Sequence, residues 1–204
     1  GAVTAKLDGN ASALAPVGAV SAIDHNDASP ADHAILERTD TNATHLWEEK
    51  ASISVARQAY DGVAVVDGKI YFVGGYANGT TYKLAERYDP ETNQWETLNS
   101  MSVTRERLAT ASVNGKLYAI GGYDGSTGLA SVEVFDPVTG LWTAGPALPS
   151  ARYGATAITV DGKIILVGGK NSAGQDLGQV LELDPNTSQW TQKAAMPTAR
   201  FGAK

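Results

Sequence analysis

The stretch RYGATAITVDGKIILVGGKNSAGQDLGQVLELDPNTSQW (152–190) contains one complete structural unit, and its reading decides the fold. RYGATAITV (152–160) carries β-branched residues at Thr156, Ile158, Thr159 and Val160, and Asp161-Gly162 is a turn dipeptide. KIILVGG (163–169) is an apolar run that closes on two glycines. QVLELDP (179–185) alternates, with Val180, Glu182 and Asp184 on one face and Leu181 and Leu183 on the other. Asn186-Thr187-Ser188 makes a turn, and QWTQKAA (189–195) is a fourth short strand. Strand-forming runs separated by turn residues read as antiparallel hairpins. No stretch sustains a helical period.

The unit recurs. GVAVVDGKIYFVGG (62–75) and LATASVNGKLYAIGG (108–122) are again strand, turn, apolar strand and Gly-Gly, and LAERYDP (84–90) and SVEVFDP (131–137) are again the third strand. Trp47, Trp95, Trp142 and Trp190 are spaced 48, 47 and 48, and Arg57, Arg105, Arg152 and Arg200 follow the same beat. Gly74-Gly75, Gly121-Gly122 and Gly168-Gly169 keep it too, as do Asp89-Pro90, Asp136-Pro137 and Asp184-Pro185. Several markers in one phase define a tandem repeat of about four dozen residues, and four antiparallel strands per repeat describe a propeller blade.

Each marker has a physical reason. Paired glycines after an apolar strand let the backbone pass where a Cβ would clash or where φ is positive. Trp offers a large apolar plate to fill the wedge between blades, which predicts that Trp95, Trp142 and Trp190 are buried there. Asp-Pro fixes the turn into the fourth strand, because Pro donates nothing to a ladder.

The order of apolar strand, Gly-Gly, a Glu about a dozen residues on (Glu86, Glu133, Glu182), Asp-Pro and Trp resembles the kelch repeat over residues 57–200. The resemblance implies an all-β protein, a β-propeller of kelch-type blades with four antiparallel strands each. About four blades are present, fewer than a kelch ring holds, so the chain is expected to be a fragment with an incomplete ring whose end blades expose apolar faces. The expected blades are 57–104, 105–151 and 152–199, and 200–204 opens a further one. Residues 1–56 read as a degenerate first blade with an inserted loop, because GAVTAKLDGN (1–10) aligns with GATAITVDGK (154–163) and Trp47 lies on the beat. The alternative is the tail of a preceding domain.

Composition narrows the function. The net charge of −6 and the absence of a Lys/Arg cluster argue against nucleic acid. No run of 18 apolar residues is present, so no membrane span is expected. With no Cys and with His25, His33 and His45 all ahead of the regular repeats, no catalytic triad, cofactor site or metal site can be placed. Sparse Lys with abundant Ala, Thr, Asn and Gly leans toward a secreted or cell-surface bacterial protein. Asn10, Asn42, Asn78 and Asn186 head Asn-x-Ser/Thr triplets that read as polar turns.

Strand parity puts the loops after the second and fourth strands at one end, and these are the variable ones, where specificity usually lies. Arg57, Arg105, Arg107, Arg152 and Arg200 enter the first strands there, with Tyr60, Tyr153 and Phe201 nearby. Tyr76, Asn78, Tyr123, Asp124, Lys170 and Asn171 follow the Gly pairs. Arg and Tyr combine planar apolar area with donors, which suits a protein or glycan partner, with an acidic ligand favoured by the arginines. The competing reading has each Arg bracing loops through carbonyls or the third-strand Glu; it is preferred for the regular arginines and weighs equally for Arg107, which breaks the pattern. The leading expectation is therefore a binding module without catalysis. Two alternatives stand beside it: part of a sugar-acting propeller enzyme, of sialic-acid-epimerase or carbohydrate-oxidase type, and a structural spacer in a large surface protein.

Overall fold

The computed structural model describes residues 48–202, and the expected degenerate blade lies almost wholly outside them. The first sheet holds β1 (Val63–Val66), β2 (Lys69–Val73), β5 (Ala85–Asp89) and β6 (Gln94–Thr97). Between β2 and β5, β3 (Tyr76–Ala77) and β4 (Thr80–Thr81) form a small hairpin absent from the sequence reading. The second sheet holds β7 (Ala109–Val113), β8 (Lys116–Ile120), β9 (Val132–Asp136) and β10 (Leu141–Ala144). The third holds β11 (Thr156–Val160), β12 (Lys163–Val167), β13 (Val180–Asp184) and β14 (Gln189–Lys193). Every pairing within a sheet is antiparallel and sequential. The three sheets are propeller blades, and they do not close into a ring among the described residues.

The two-residue period of the strands builds the interfaces between blades. Val66, Tyr71, Val73 and Ala85 from one face of the first blade pack on Leu117, Ala119 and Phe135 of the second. The second blade turns Ala111, Val113, Tyr118, Ile120, Val132 and Val134 the other way, onto Ile164, Leu166, Leu181 and Leu183 of the third. Fully burying one such aliphatic side chain contributes about 1.5–3 kcal/mol, so these two seams supply most of the apolar drive to fold. The outward face of the third blade repeats the pattern without a neighbour among the described residues. Ile158 and Val160, which occupy the places of Ala111 and Val113, are 58% and 46% exposed.

The tryptophans are half-buried rather than enclosed. They sit on the outermost strands, where a blade is widest and least covered. Trp95 and Trp142 lean on Tyr88 and Phe135 at ring separations of 5.2 and 5.1 Å. Their Nε1–H groups donate to Ala51 O and Asn99 O at 2.6 and 2.7 Å, and Trp190 donates to Pro146 O at 2.8 Å. Each Trp thus ties its outer strand to the segment that leads into its own blade.

The Gly pairs form the seam. Gly75, Gly122 and Gly169 donate their N–H to the carbonyls of Arg105, Arg152 and Arg200, each in the following repeat, at 2.8–2.9 Å. The first glycine of each pair lies under the same carbonyl: a Cβ on Gly121 would stand 2.5 Å from Arg152 O, and one on Gly168 2.6 Å from Arg200 O. Gly121 also has φ +59°, which a side chain resists. Gly121→Ala is expected to cost more than the roughly 1–3 kcal/mol of left-handed strain alone. Gly115→Ala, at φ +70° with open space around it, should cost only the strain. Urea unfolding of both variants checks this, and equal losses would show that the seam tolerates a methyl group.

Candidate functional site

Each of the three described blades enters its first strand through an arginine that folds back into the blade. Arg105 is fully buried, and its Nη1 donates to Gly121 O at 2.8 Å and Ser131 O at 2.9 Å. Its Nη2 meets Glu133 Oε1 at 3.0 Å. Glu133 also accepts the N–H of Ser102 at 2.7 Å. Arg57 does the same, with Nε on Gly74 O at 2.7 Å and Nη1 on Glu86 Oε2 at 2.5 Å, while Glu86 accepts the N–H of Ser54. A buried guanidinium needs such partners, because desolvation costs it several kcal/mol. Burial pushes both carboxyls upward. For Glu86 the Ser54 hydroxyl, the Arg57 guanidinium and the Ser54 N–H overcome that push, and for Glu133 the Ser102 N–H and hydroxyl with Arg105 do so. Both therefore sit below the ordinary carboxylate value.

The third blade departs from this scheme and corrects one reading of the repeat. Glu86 pairs across the strands with Phe72, Glu133 with Ala119, and the residue opposite Leu166 is Leu181. The equivalent of the structural Glu is thus Leu181, not Glu182. Glu182 is one residue further on, faces the other side and bonds Lys163 and Lys193. Arg152 has Gln179 Oε1 at 2.7 Å in place of a carboxylate. The missing acid is matched by a missing donor: Pro149 stands where Ser54 and Ser102 present their N–H, three residues before the Arg.

Arg57, Arg105 and Arg152 are therefore structural braces, enclosed within the blades. Asp124 and Asn171 hold their own loops. Asp124 Oδ1 accepts the N–H groups of Ser126 and Thr127, both at 2.7 Å, and these bonds lower its pKa. Asn171 Oδ1 accepts those of Ala173 and Gln175. Asn78 is exposed in the tight β3–β4 hairpin with φ +48°. Arg200 is exposed.

The remaining groups meet at one end of the blades. Gln58, Glu106 and Tyr153 exchange paired backbone bonds with Tyr76, Tyr123 and Lys170, which brings the two sets of variable loops edge to edge. Tyr123 and Tyr153 pack with tilted rings 5.5 Å apart, and Tyr153 meets Phe201 edge-on at 6.1 Å. The Arg107 guanidinium lies 5.4 Å from the Tyr60 ring and 6.0 Å from that of Phe201, and Lys170 lies 5.4 Å from Phe201. Lys170 is paired with Asp176 at 2.6 Å. Tyr60 at 48%, Tyr76 at 37% and Phe201 at 37% are exposed. A cavity of about 360 Å³ opens between the first two blades, lined by Gln58, Tyr60, Tyr76, Glu106, Arg107 and Tyr123 among others. Phe201 lies among the aromatics expected beside the recurrent arginines, whereas the cavity residue Glu106 carries no marker of its own in the sequence.

Sequential four-stranded blades joined at Gly-Gly seams, with a buried Arg in each, define a kelch-type propeller. The chain belongs to that family: residues 24–203 match the KLHDC2/KLHL20/DRC7 Kelch-repeats domain. An F-box/kelch-repeat protein of Arabidopsis thaliana is 40% identical over 67 residues, 32% of this chain and 18% of the relative. Human Kelch-like protein 33 is 45% identical over 49 residues, 24% of this chain and 9% of the relative. The matches thus span less than a fifth of the length of these relatives. The solved structure of YjhT superposes with a TM-score of 0.60 at 22% identity, covering 68% of this chain and 52% of its own, which shows the fold. No helix among the described residues is long and apolar enough to cross a membrane.

Because Glu86 and Glu133 titrate lower in the folded state, they contribute stability in full above the unfolded carboxylate pKa of about 4.3. That contribution is lost as pH falls through their lowered folded values. Glu133→Gln leaves Arg105 buried without a counter-charge and is expected to cost about 3–5 kcal/mol at pH 7. The gap to the parent should narrow in acid. Urea unfolding at pH 7 and pH 3 measures both, and a gap that stays constant would place the stabilising charge elsewhere.

Proposed function

We propose that the blades serve as a binding module that holds a protein partner on the loop face, with an acidic segment as the preferred ligand. The observation that carries this reading is the continuous row Tyr60, Arg107, Phe201, Tyr153 and Tyr123, which joins exposed aromatic area to a cation at one mouth. Monomeric surfaces seldom place several aromatics and a guanidinium side by side, and such groups dominate binding energy when a partner covers them. The exposed tyrosine rings also suit a glycan, whose pyranose faces stack on aromatic plates, so a sugar ligand is the second reading. Membership of a kelch family supports interaction in general, since kelch-repeat proteins commonly pair with other proteins.

A sugar-acting enzyme would need a carboxylate and an Arg poised together in the channel. The buried pairs Arg57–Glu86 and Arg105–Glu133 have the right residue types, but both acids are held ionised by several donors inside their sheets. A carboxylate held that firmly in its charged state is a poor proton donor. The described residues contain no group of His, Asp or Glu arranged to hold a metal ion.

The test is a display library of acidic and neutral peptides alongside a glycan array, probed with the 204-residue chain. Acidic peptides should be enriched and bind more weakly as salt rises. Tyr123→Ala and Tyr153→Ala should each weaken binding at least tenfold, while Asp67→Ala and Asp161→Ala at the opposite turns should leave it unchanged. Loss on changing the turns and none on changing the tyrosines would put the working face at the other end.

A further inference from the structure

Two bulky residues at the mouth hold a backbone conformation that side chains avoid. Tyr60 has φ +53° and Arg107 has φ +50°. The remaining left-handed residues with side chains are Asp, Asn and one Ser, types suited to turns. Position matters as well as type. Two residues after the recurrent arginine stand Arg107, Gly154 and Gly202, and both glycines have φ +62°. A backbone relay ties the three together: Gly154 N–H donates to Arg107 O at 2.7 Å, and Gly202 N–H donates to Gly154 O at 2.9 Å. The second blade therefore bears an Arg at a site that the next two repeats fill with the residue best suited to it. Strain of this kind persists only where the surrounding structure over-determines it, and it clusters at binding and switch sites.

The Arg107 side chain is also unusual for what it lacks. Its Nε is buried without a hydrogen-bond partner. Arg57 Nη2 and Arg152 Nε share that condition, but their guanidiniums are otherwise engaged by carbonyls and by Glu86 or Gln179. No described carboxylate or carbonyl receives the Arg107 side chain; it rests against Tyr60 and Phe201 and lines the cavity of about 360 Å³. That volume falls within the roughly 300–1,000 Å³ typical of small-molecule pockets. Three tyrosines, Tyr60, Tyr76 and Tyr123, supply aromatic walls. Glu106 supplies a negative charge on the same wall and is itself 6% exposed.

We infer that this cavity is a subsite for a single carboxylate borne on a planar apolar body, with Arg107 as its anchor. The guanidinium offers a planar fork that matches a carboxylate. Glu106 repels a second negative charge within the cavity, so the subsite discriminates against phosphate esters. The tyrosines accept the body of the ligand. The subsite rests on the loop-face reading and narrows it, since an acidic partner would place one carboxylate here and spread its remaining contacts over Tyr153, Phe201 and Lys170.

The probe is benzoate, titrated into the 204-residue chain while the Arg107 Nε–H resonance is followed by NMR, with benzamide and phenyl phosphate as comparisons. Benzoate should shift that resonance saturably. Benzamide and phenyl phosphate should bind at least tenfold more weakly, the first for want of charge and the second for excess of it. Arg107→Gly is the deciding variant, with ligand binding followed through the backbone amides of Tyr76 and Tyr123. It should abolish the benzoate response yet leave the thermal midpoint unchanged or raised, because glycine already serves this position in two repeats. Arg107→Lys keeps the charge and loses the fork, and should bind benzoate more weakly than the parent. An Arg107→Gly chain that still responds to benzoate, or whose midpoint falls by several degrees, would give Arg107 a packing role and overturn the proposal. So would equal binding of benzamide. If acidic peptides bind and depend on Tyr153 but not on Arg107, the loop face stands and the subsite falls. If benzoate binds and no peptide does, the subsite stands without the wider reading.

Discussion

The structure depends on a contact that a single methyl group would break. At each blade junction the carbonyl of an arginine lies against a glycine pair of the preceding repeat, accepting an N–H from the second glycine and excluding a Cβ from the first. The same arginine sends its guanidinium into its own blade, to the carbonyl of that blade's first glycine. One residue type thus connects backward through its backbone and inward through its side chain. Because the device repeats, the blades are held at a fixed spacing from their neighbours, and the apolar faces of successive sheets come into register. Stability in such an array is close to a sum of blade terms and seam terms.

That architecture explains how much the sequence disclosed. Glycines, arginines, Asp-Pro turns and tryptophans recur because each answers a steric or hydrogen-bonding demand that recurs, so strand number, order and face were readable from the markers alone. The third blade shows where such reading stops. Glu182 sits near enough to the expected place to be taken for the structural Glu, yet a one-residue displacement in a strand reverses the face. The register across β12 and β13 puts Leu181 there, and only Pro149, three residues before Arg152, marks the loss in the sequence. The depth of the tryptophans was misjudged for a related reason. Periodicity identifies a packing residue, but burial depends on how far a strand lies from the axis.

The candidate site was legible in part. Strand parity grouped the loops after the second and fourth strands, and several of the aromatic and cationic residues do gather at one end. The regular arginines could not be separated from Arg107 by residue type, since all of them enter the first strand within a few positions of one another. What separates them is geometry. Arg57, Arg105 and Arg152 point into the blades and spend their donors on carbonyls, whereas Arg107, two residues past the brace, emerges on the mouth. In a repeat, an interruption of the pattern is therefore a more informative signal than its regular members.

The distribution of strain follows from the same logic. Left-handed turns within the blades are filled by Gly, Asp, Asn and one Ser, types suited to turns. At the mouth, Tyr60 and Arg107 adopt it with large side chains, and the neighbouring repeats revert to glycine. At Arg107 the scaffold can bear this because the backbone is held there: the preceding Glu106 by two bonds with Tyr123, and Arg107 by the N–H of Gly154. A rigid frame of seams allows unfavourable local geometry to persist where variable loops meet, and it fixes the orientation of the side chains so displayed. On the proposed reading, an anchor held in that way would lose little conformational entropy when a ligand arrives, so the frame that serves packing would also serve recognition.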